Sequence, residues 1–296
     1  MDMKTQGRRV GALEVRRALE SVTPFSRKMF FPDVPDEAWA PHLGWLAPRG
    51  YDPKADTLLF PVQSYVVRTS HHTILIDTCV GNHKERPNRP LWHRKTDTAW
   101  LDALAAMGLS PADIDYVFCT HLHADHAGWN TKLEDGRWVP TFPKAKYVFS
   151  KKELEAWRDV GHPKFSRAVY QDSVLPVVEA GRALLVSGDW ELDDEVRLEP
   201  TPGHTPDHVA VRFDSRGETA VMCGDLIHSP VQCRHPDWVP WPDWDPALAA
   251  RTRRDFLERY CGTPALVCTA HFPLPSAGRV VREGNAFKFV DDAARW

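Results

Sequence analysis

Between His121 and His126 the chain places four metal-binding side chains in six positions, His121-Leu122-His123-Ala124-Asp125-His126, and no other stretch restricts the fold so tightly. The preceding residues, Ile114 to Cys119, form a short apolar run rich in β-branched and aromatic side chains, which reads as a buried strand. A strand that ends in a ligand-rich loop gives a metal site a rigid base. In extended chain His121 and His123, two positions apart, point to the same side. Asp125 and His126 follow as the chain turns and face a second position. Imidazole combined with carboxylate suits a borderline cation such as zinc. One histidine here would be an ordinary polar loop residue; His-x-His-x-Asp-His is not.

Composition narrows the class. With 296 residues the chain can bury a sizeable core, and its 43% hydrophobic and 26% charged fractions are those of a soluble globular protein. A net charge of −3 argues against general attraction to nucleic acid or to an acidic membrane surface. No apolar stretch is long enough to span a bilayer, and the polar start, Met1 to Glu20, lacks the apolar segment of a secretory signal. The six cysteines are scattered without Cys-x-x-Cys spacing, and Cys79, Cys119, Cys223 and Cys268 fall in or beside apolar runs as small hydrophobes. A disulfide framework is not expected; a reducing, cytoplasmic setting is. Twelve Trp and 25 Pro point to rigid, aromatic-lined loops.

Residues 1–57 read as an extension or strap on the core, with a short amphipathic helix over Val10–Leu19 and an aromatic segment, Phe25 to Phe31. The strap also offers a homodimer interface or a pocket wall, the latter through residues such as Phe30. Regular structure is expected from Leu58, in one catalytic domain over 58–296. Leu59–Val67 and Thr73–Asp77 suggest a hairpin, and Asp97 a helix to Met107. Ser110-Pro111 suggests another helix start. The polar Thr131–Gly136 reads as a turn, Lys146–Phe149 as a strand, and Ser150-Lys151-Lys152-Glu153 as a capping box. Further strands are expected at Ala183–Val186, Val196–Glu199, Val209–Phe213 and Thr219–Cys223. Asp245-Pro246 opens a helix to Tyr260, and Ala265–Thr269 is expected as the last core strand. Strands alternating with helices in two halves predict a single α/β domain.

Three later sites share a pattern in which a β-rich run is followed by a small residue and one ligand: Gly203-His204, Gly224-Asp225 and Ala270-His271. Ligands at the ends of separate strands can converge on one sheet edge. The arithmetic fits two cations: His121, His123 and His204 for one, Asp125, His126 and His271 for the other, with Asp225 bridging. Each cation then keeps a position for water or substrate. His42, His71, His72, His83, His93, His162 and His235 lie in polar or Pro-rich surroundings and are read as ordinary residues. His208 is read as a supporting group and not as a ligand.

This constellation resembles the metallo-β-lactamase superfamily, from about Leu58 to the C-terminus. The seven residues His121, His123, Asp125, His126, His204, Asp225 and His271 match the ligands of its binuclear members, and Asp77 matches its early strand-end Asp, a partner that orients a ligand histidine. The resemblance implies a four-layer αβ/βα sandwich with two divalent cations, zinc first and Mn, Fe or Co as options, on one sheet edge. Within the superfamily the pattern is most similar to acyl-homoserine-lactone lactonases and methyl parathion hydrolase. Two positions depart from that group: His228 stands where the lactonases have Tyr, and Asp207 follows Gly203-His204-Thr205-Pro206 where Gly is common.

The expectation for function is a metallohydrolase in which a metal-bridging hydroxide opens a lactone, carboxylic ester or phosphotriester of a small, mostly apolar molecule. Asp125, Asp225 and His228 are its candidate catalytic residues; Trp129, His228 and Phe30 are the candidate substrate contacts. A glyoxalase II-like thioesterase and an iron-dependent oxidoreductase are the alternatives on the same scaffold. Neither a nucleic acid nor a membrane is expected as partner.

Overall fold

The structure, a computed structural model, describes residues 5–160, 167–293 and 296. The first sheet begins with β1 (Gly7–Val10), β2 (Leu13–Ser26), β3 (Tyr51–Asp52), β4 (Thr57–Arg68), β5 (Thr73–Ile76) and β6 (Tyr116–Phe118). A separate hairpin, β7 (Thr131–Glu134) and β8 (Arg137–Pro140), precedes β9 (Lys146–Ser150) and β10 (Ala183–Val186). The second sheet holds β11 (Val196–Pro200), β12 (Val209–Ser215), β13 (Glu218–Met222), β14 (Leu266–Cys268), β15 (Ala277–Glu283) and β16 (Ala286–Asp291). The first sheet runs β1-β2-β4-β5-β6-β9-β10, with β3 also on β4; the second follows chain order. In the first sheet β5, β6, β9 and β10 are mutually parallel, and both Val117 and Phe118 of β6 are buried, as a strand covered on two faces requires.

Alternation along the strands sorts the core into layers. Ile74 and Ile76 of β5 point between the sheets with Val211, Phe213 and Met222, while Leu75 between them points outward. That outer face is covered by α3 (Ala99–Ala106) and α5 (Leu175–Glu179), through Trp100, Leu104 and Val177. On the far side Phe256 and Leu257 of α7 (Pro246–Tyr260) cover Val221 and Val267. Helix, sheet, sheet and helix give the expected four-layer sandwich. Four further helices join these: α1 (Arg27–Phe30) and α2 (Asp36–Leu46) before β3, α4 (Lys151–Glu155) after β9, and α6 (Val231–Arg234) after β13.

The N-terminal expectations change most. Val10–Leu19 is not a helix: β2 pairs with β4 from Glu14↔Arg68 to Ser26↔Thr57, and that long ladder outweighs a weak helical spacing. Regular structure therefore starts at Gly7 and not at Leu58. Register shifts between Leu19 and Ser21, leaving Glu20 in a bulge where its buried carboxylate accepts N–H bonds from Val80 (3.0 Å) and Gly81 (3.2 Å). Phe30, Phe31, Trp39 and Leu46 pack with Tyr51, Phe60 and Trp238 in an aromatic cluster. Thr131–Gly136 is a hairpin arm, not only a turn, and β15 and β16 follow the strand expected to be last. Ser110-Pro111 opens a single 3-10 turn, Pro111–Asp113, too short for the expected helix. The capping box at Ser150 is half formed: Ser150 Oγ accepts from Glu153 N, but the Glu153 carboxylate accepts from Trp157 Nε1 and Asp207 N instead. Asp245 caps α7 as expected, accepting from Leu248 N at 2.9 Å. All six cysteines are free thiols. Among the described residues no helix is long and apolar enough to cross a membrane.

One buried charge tests the packing beneath the β7–β8 hairpin. Lys84 Nζ, fully enclosed, donates to Thr131 Oγ1 (2.6 Å) and Asp172 O (2.9 Å) and sits 3.5 Å from the Trp138 ring centroid. Burial brings its pKa down to about 7. The unfolded chain then binds the extra proton from pH 7 up to its ordinary lysine range, so this residue makes stability rise with pH over that window. Denaturant titrations should show the stability difference between wild type and Lys84→Met changing by up to about 1.4 kcal/mol per pH unit there, and flat below it.

Candidate metal centre

Five strand ends build the site. β5 ends at Asp77, held in the left-handed region (φ +57°), a strained backbone for a non-glycine residue. Its carboxylate accepts Thr120 N at 2.8 Å through Oδ1 and lies 2.8 Å from His126 Nδ1 through Oδ2. β6 leads into the His121–His126 loop, closed as a turn by His126 N and Ala127 N donating to His123 O, both at 3.1 Å. A Cβ on Gly128 would lie 1.8 Å from Val80 O, so only glycine lets this loop close on the segment after β5. From the second sheet, β11 leads to His204, β13 to Asp225 and β14 to His271. Gly224 has φ +47°, and a Cβ there would meet Thr120 Oγ1 and His208 Nε2 at 2.6 and 2.7 Å.

Two donor groups result: His121, His123, His204 and Asp225, all buried, and Asp125, His126 and His271; within each group the ligand atoms lie within 4.8 Å of one another. Asp225 spans both. Its Oδ2 is 3.4 Å from His204 Nε2 and 3.7 Å from His121 Nε2, while Oδ1 is 3.1 Å from His126 Nε2 and 2.9 Å from His271 Nε2. Asp125 Oδ2 stands 3.7 Å from His271 Nε2 and 3.9 Å from His126 Nε2.

Four histidines turn the same nitrogen inward. Nδ1 of His121 meets Thr120 Oγ1 (3.0 Å), that of His126 meets Asp77, that of His204 meets Asp243 Oδ1 (2.8 Å), and that of His271 donates to Pro61 O (2.8 Å). Such outer contacts set the tautomer and leave Nε2 for a cation. Among the described residues Nε2 of His121 and of His126 is buried with no hydrogen-bond partner, a costly state that cations at these positions would relieve. The donor set therefore fits two divalent cations.

The electrostatics point the same way. Burial opposes charge on His204, yet Asp225 and Asp243 outweigh it and push its pKa up to about 9. Burial would raise the Asp225 carboxyl, but His126, His271 and His228 hold it well below the usual range. Burial takes His208 down to about 3, so this neutral ring accepts the Asp225 N–H on Nε2 (3.1 Å) with Nδ1 at Thr201 Oγ1 (2.8 Å), the supporting role expected of it. Burial also takes His228 down to about 4; its neutral Nε2–H donates to Asp225 Oδ2 at 3.1 Å.

An open cavity of about 640 Å³ reaches this centre, lined there by His123, Asp125, Asp225, His228 and His271. Phe30 lines it too, with its ring centroid 5.2 Å from that of His228. Trp129 does not. Its ring stacks on Trp100 at 5.5 Å, and its Nε1–H donates to Glu20 at 2.9 Å inside the core. The large side chain after the ligand loop is turned away from the cavity by that stack and that bond, which corrects the substrate-contact expectation. Sequence reasoning also missed Asp243, held by Arg253, and the wall residues Arg89, Trp92 and Trp241. No local motif marks them, since Asp243 meets His204 only through the fold. His162 lies outside the described residues. His42 and His235, read as ordinary residues, contact each other at 2.9 Å.

The sequence profile described as "Metallo-beta-lactamase superfamily" matches residues 57–271. The chain belongs to that superfamily. It is 26% identical over 205 residues to the N-acyl homoserine lactonase AiiA of Bacillus thuringiensis subsp. kurstaki, covering 65% of this chain and 73% of that protein. In structure this metallo-β-lactamase chain is similar to the hydrolase AbOPH, with TM-score 0.82, 22% identity and 98% of both chains covered. It is also similar to AidC, a dizinc quorum-quenching lactonase in complex with a product, with TM-score 0.78, 22% identity and coverage of 98% and 99%. These structural likenesses establish the fold. Asp243→Asn keeps the size of the side chain but weakens the anchor on His204; chelator competition should show metal affinity reduced about 10- to 100-fold.

Proposed function

We propose that this metallo-β-lactamase protein is a hydrolase of lactones, carboxylic esters or phosphotriesters of small, mostly apolar molecules. The observation that carries the reading is Asp225, one buried carboxylate facing two histidine-rich donor groups at the end of a mainly apolar cavity. His121, His123 and His204 would hold one divalent cation, Asp125, His126 and His271 the other, and Asp225 would be shared. Imidazole and carboxylate donors favour zinc. When bound, the cations supply an activated water and Lewis-acid polarisation of the scissile group. The likeness to lactonases and to AbOPH supports this choice of bonds.

The chain's own residues supply the rest. His228 is fixed by its backbone N–H to Gln232 Oε1 (2.8 Å) and by the Phe30 and Phe60 rings, and its ring faces the cavity. The single N–H of its neutral imidazole, held on Asp225 Oδ2, can turn to hydrogen-bond a developing oxyanion. Asp125, the least buried of the acidic donors, lies on the cavity wall where it can take up or pass on a proton. Phe30 and Phe60 exclude water from the apolar part of the substrate. Free cysteines throughout support a reducing, cytoplasmic location.

Metal content measured on the same purified sample as a panel of lactones, aryl esters and phosphotriesters tests the reading. About two cations per chain and turnover of at least one class are expected, with activity lost on chelation and restored by zinc, manganese or cobalt. A metal-replete protein that cleaves none of the three classes sinks the proposal. His228→Phe should lower kcat by about 10²-fold with little change in KM, because the lost contact forms with charge that develops in the transition state.

A further inference from the structure

Of the charged residues on the cavity wall that the proposed reaction does not use, Glu85, Arg86 and Arg89, only Arg89 has no ion pair among the described residues. Arg89 lines the cavity, and its guanidinium carbon lies 5.1 Å from the Phe25 ring centroid, 5.8 Å from Trp92 and 5.7 Å from Trp241. Among the described residues no carboxylate pairs with it. The neighbouring charges are all matched: Arg86 makes a two-pronged pair with Asp172 (2.7 and 2.9 Å), and Glu85 pairs with Arg94. The loop is held in place before any ligand arrives. Arg89 N donates to Arg86 O (2.8 Å), Trp92 N to Arg89 O (2.8 Å), and the Trp92 indole N–H to Thr23 Oγ1 (3.1 Å).

A guanidinium carries five N–H donors in a planar fork that matches a carboxylate. Aromatic faces satisfy its charge in part but accept none of those in-plane bonds. Set on a mainly apolar wall, such a group selects a ligand that brings its own acceptor oxygens, and an anion most strongly. We propose that Arg89 is an anion-recognising subsite, and that the substrates are esters or lactones whose apolar acyl chain ends in a second, non-reacting carboxylate. The substrate class rests on the hydrolase reading above. The hydrolysed group sits at the His228–Asp225 end, the apolar chain against Phe25 and Trp92, and the free carboxylate on Arg89.

The test uses metal-replete enzyme and aryl half-esters of straight-chain dicarboxylic acids, each compared with the aryl ester of the methyl-ended monocarboxylic acid of equal length. At the best length the half-ester should have about tenfold or higher kcat/KM, expressed in KM. Arg89→Met should erase that preference while leaving the methyl-ended ester within about twofold, and Arg89→Lys should keep part of it. In parallel, calorimetry measures binding of the free dicarboxylates against monocarboxylates, with tighter dicarboxylate binding expected in wild type and lost in Arg89→Met. If neither ester is cleaved, and lactones and phosphotriesters are left intact as well, the hydrolase reading fails, whereas dicarboxylate selectivity lost in Arg89→Met still upholds the subsite. A wild type with no preference in either assay, or an Arg89→Met variant that weakens both members of each pair equally, overturns it.

Discussion

The Asp225 carboxylate is the interaction on which the rest of the centre depends. An ionised carboxylate buried without partners is strongly unfavourable. Here each oxygen faces imidazoles from both sheets: His121 and His126 follow β6 of the first, His204 and His271 follow β11 and β14 of the second. The same side chain thus joins the two halves of the sandwich at their common edge. Its own backbone N–H is bonded to His208, and its placement needs the glycine before it, so neither its charge nor its position is adjustable alone.

Orientation of the histidines comes from a second set of residues spread along the whole chain. Pro61 O belongs to β4, Asp77 to the end of β5, Thr120 to the end of β6, and Asp243 to the loop before α7. Each fixes one ring by its Nδ1. The ordering cost of the centre is therefore met during folding, and strain at Asp77 is tolerated because three contacts determine its conformation.

How much of this was legible in the sequence depended on locality. His121 to His126 could be read because the ligands are adjacent, and His204, Asp225 and His271 because each follows a strand and a small residue. The strands β4 to β6 and β9 to β14 were visible for the same reason, as apolar runs with clear ends, whereas the polar β7–β8 hairpin read as a turn. The β2 strand was not, because residues 10–19 fit helical and extended spacing alike, and its pairing with β4 decided between them. Trp129 was misplaced because position after the ligand loop says nothing of the ring's direction, which Trp100 and Glu20 determine. Asp243 and Arg89 carry no local signature; their meaning exists only in contacts across the fold.

The aromatic and charged wall of the cavity comes from stretches that supply no member of the two donor groups: Phe25 to Phe30, Glu85 to Trp92, and Trp241 with Pro242. Reactivity and selectivity are thus written in different parts of the chain. Those three places, the end of β2 with α1 and two loops, supply no donor and so can vary while the strand ends that carry the donors stay as they are. Such a division of labour lets one hydrolytic centre be inherited intact as its descendants exchange one substrate for another.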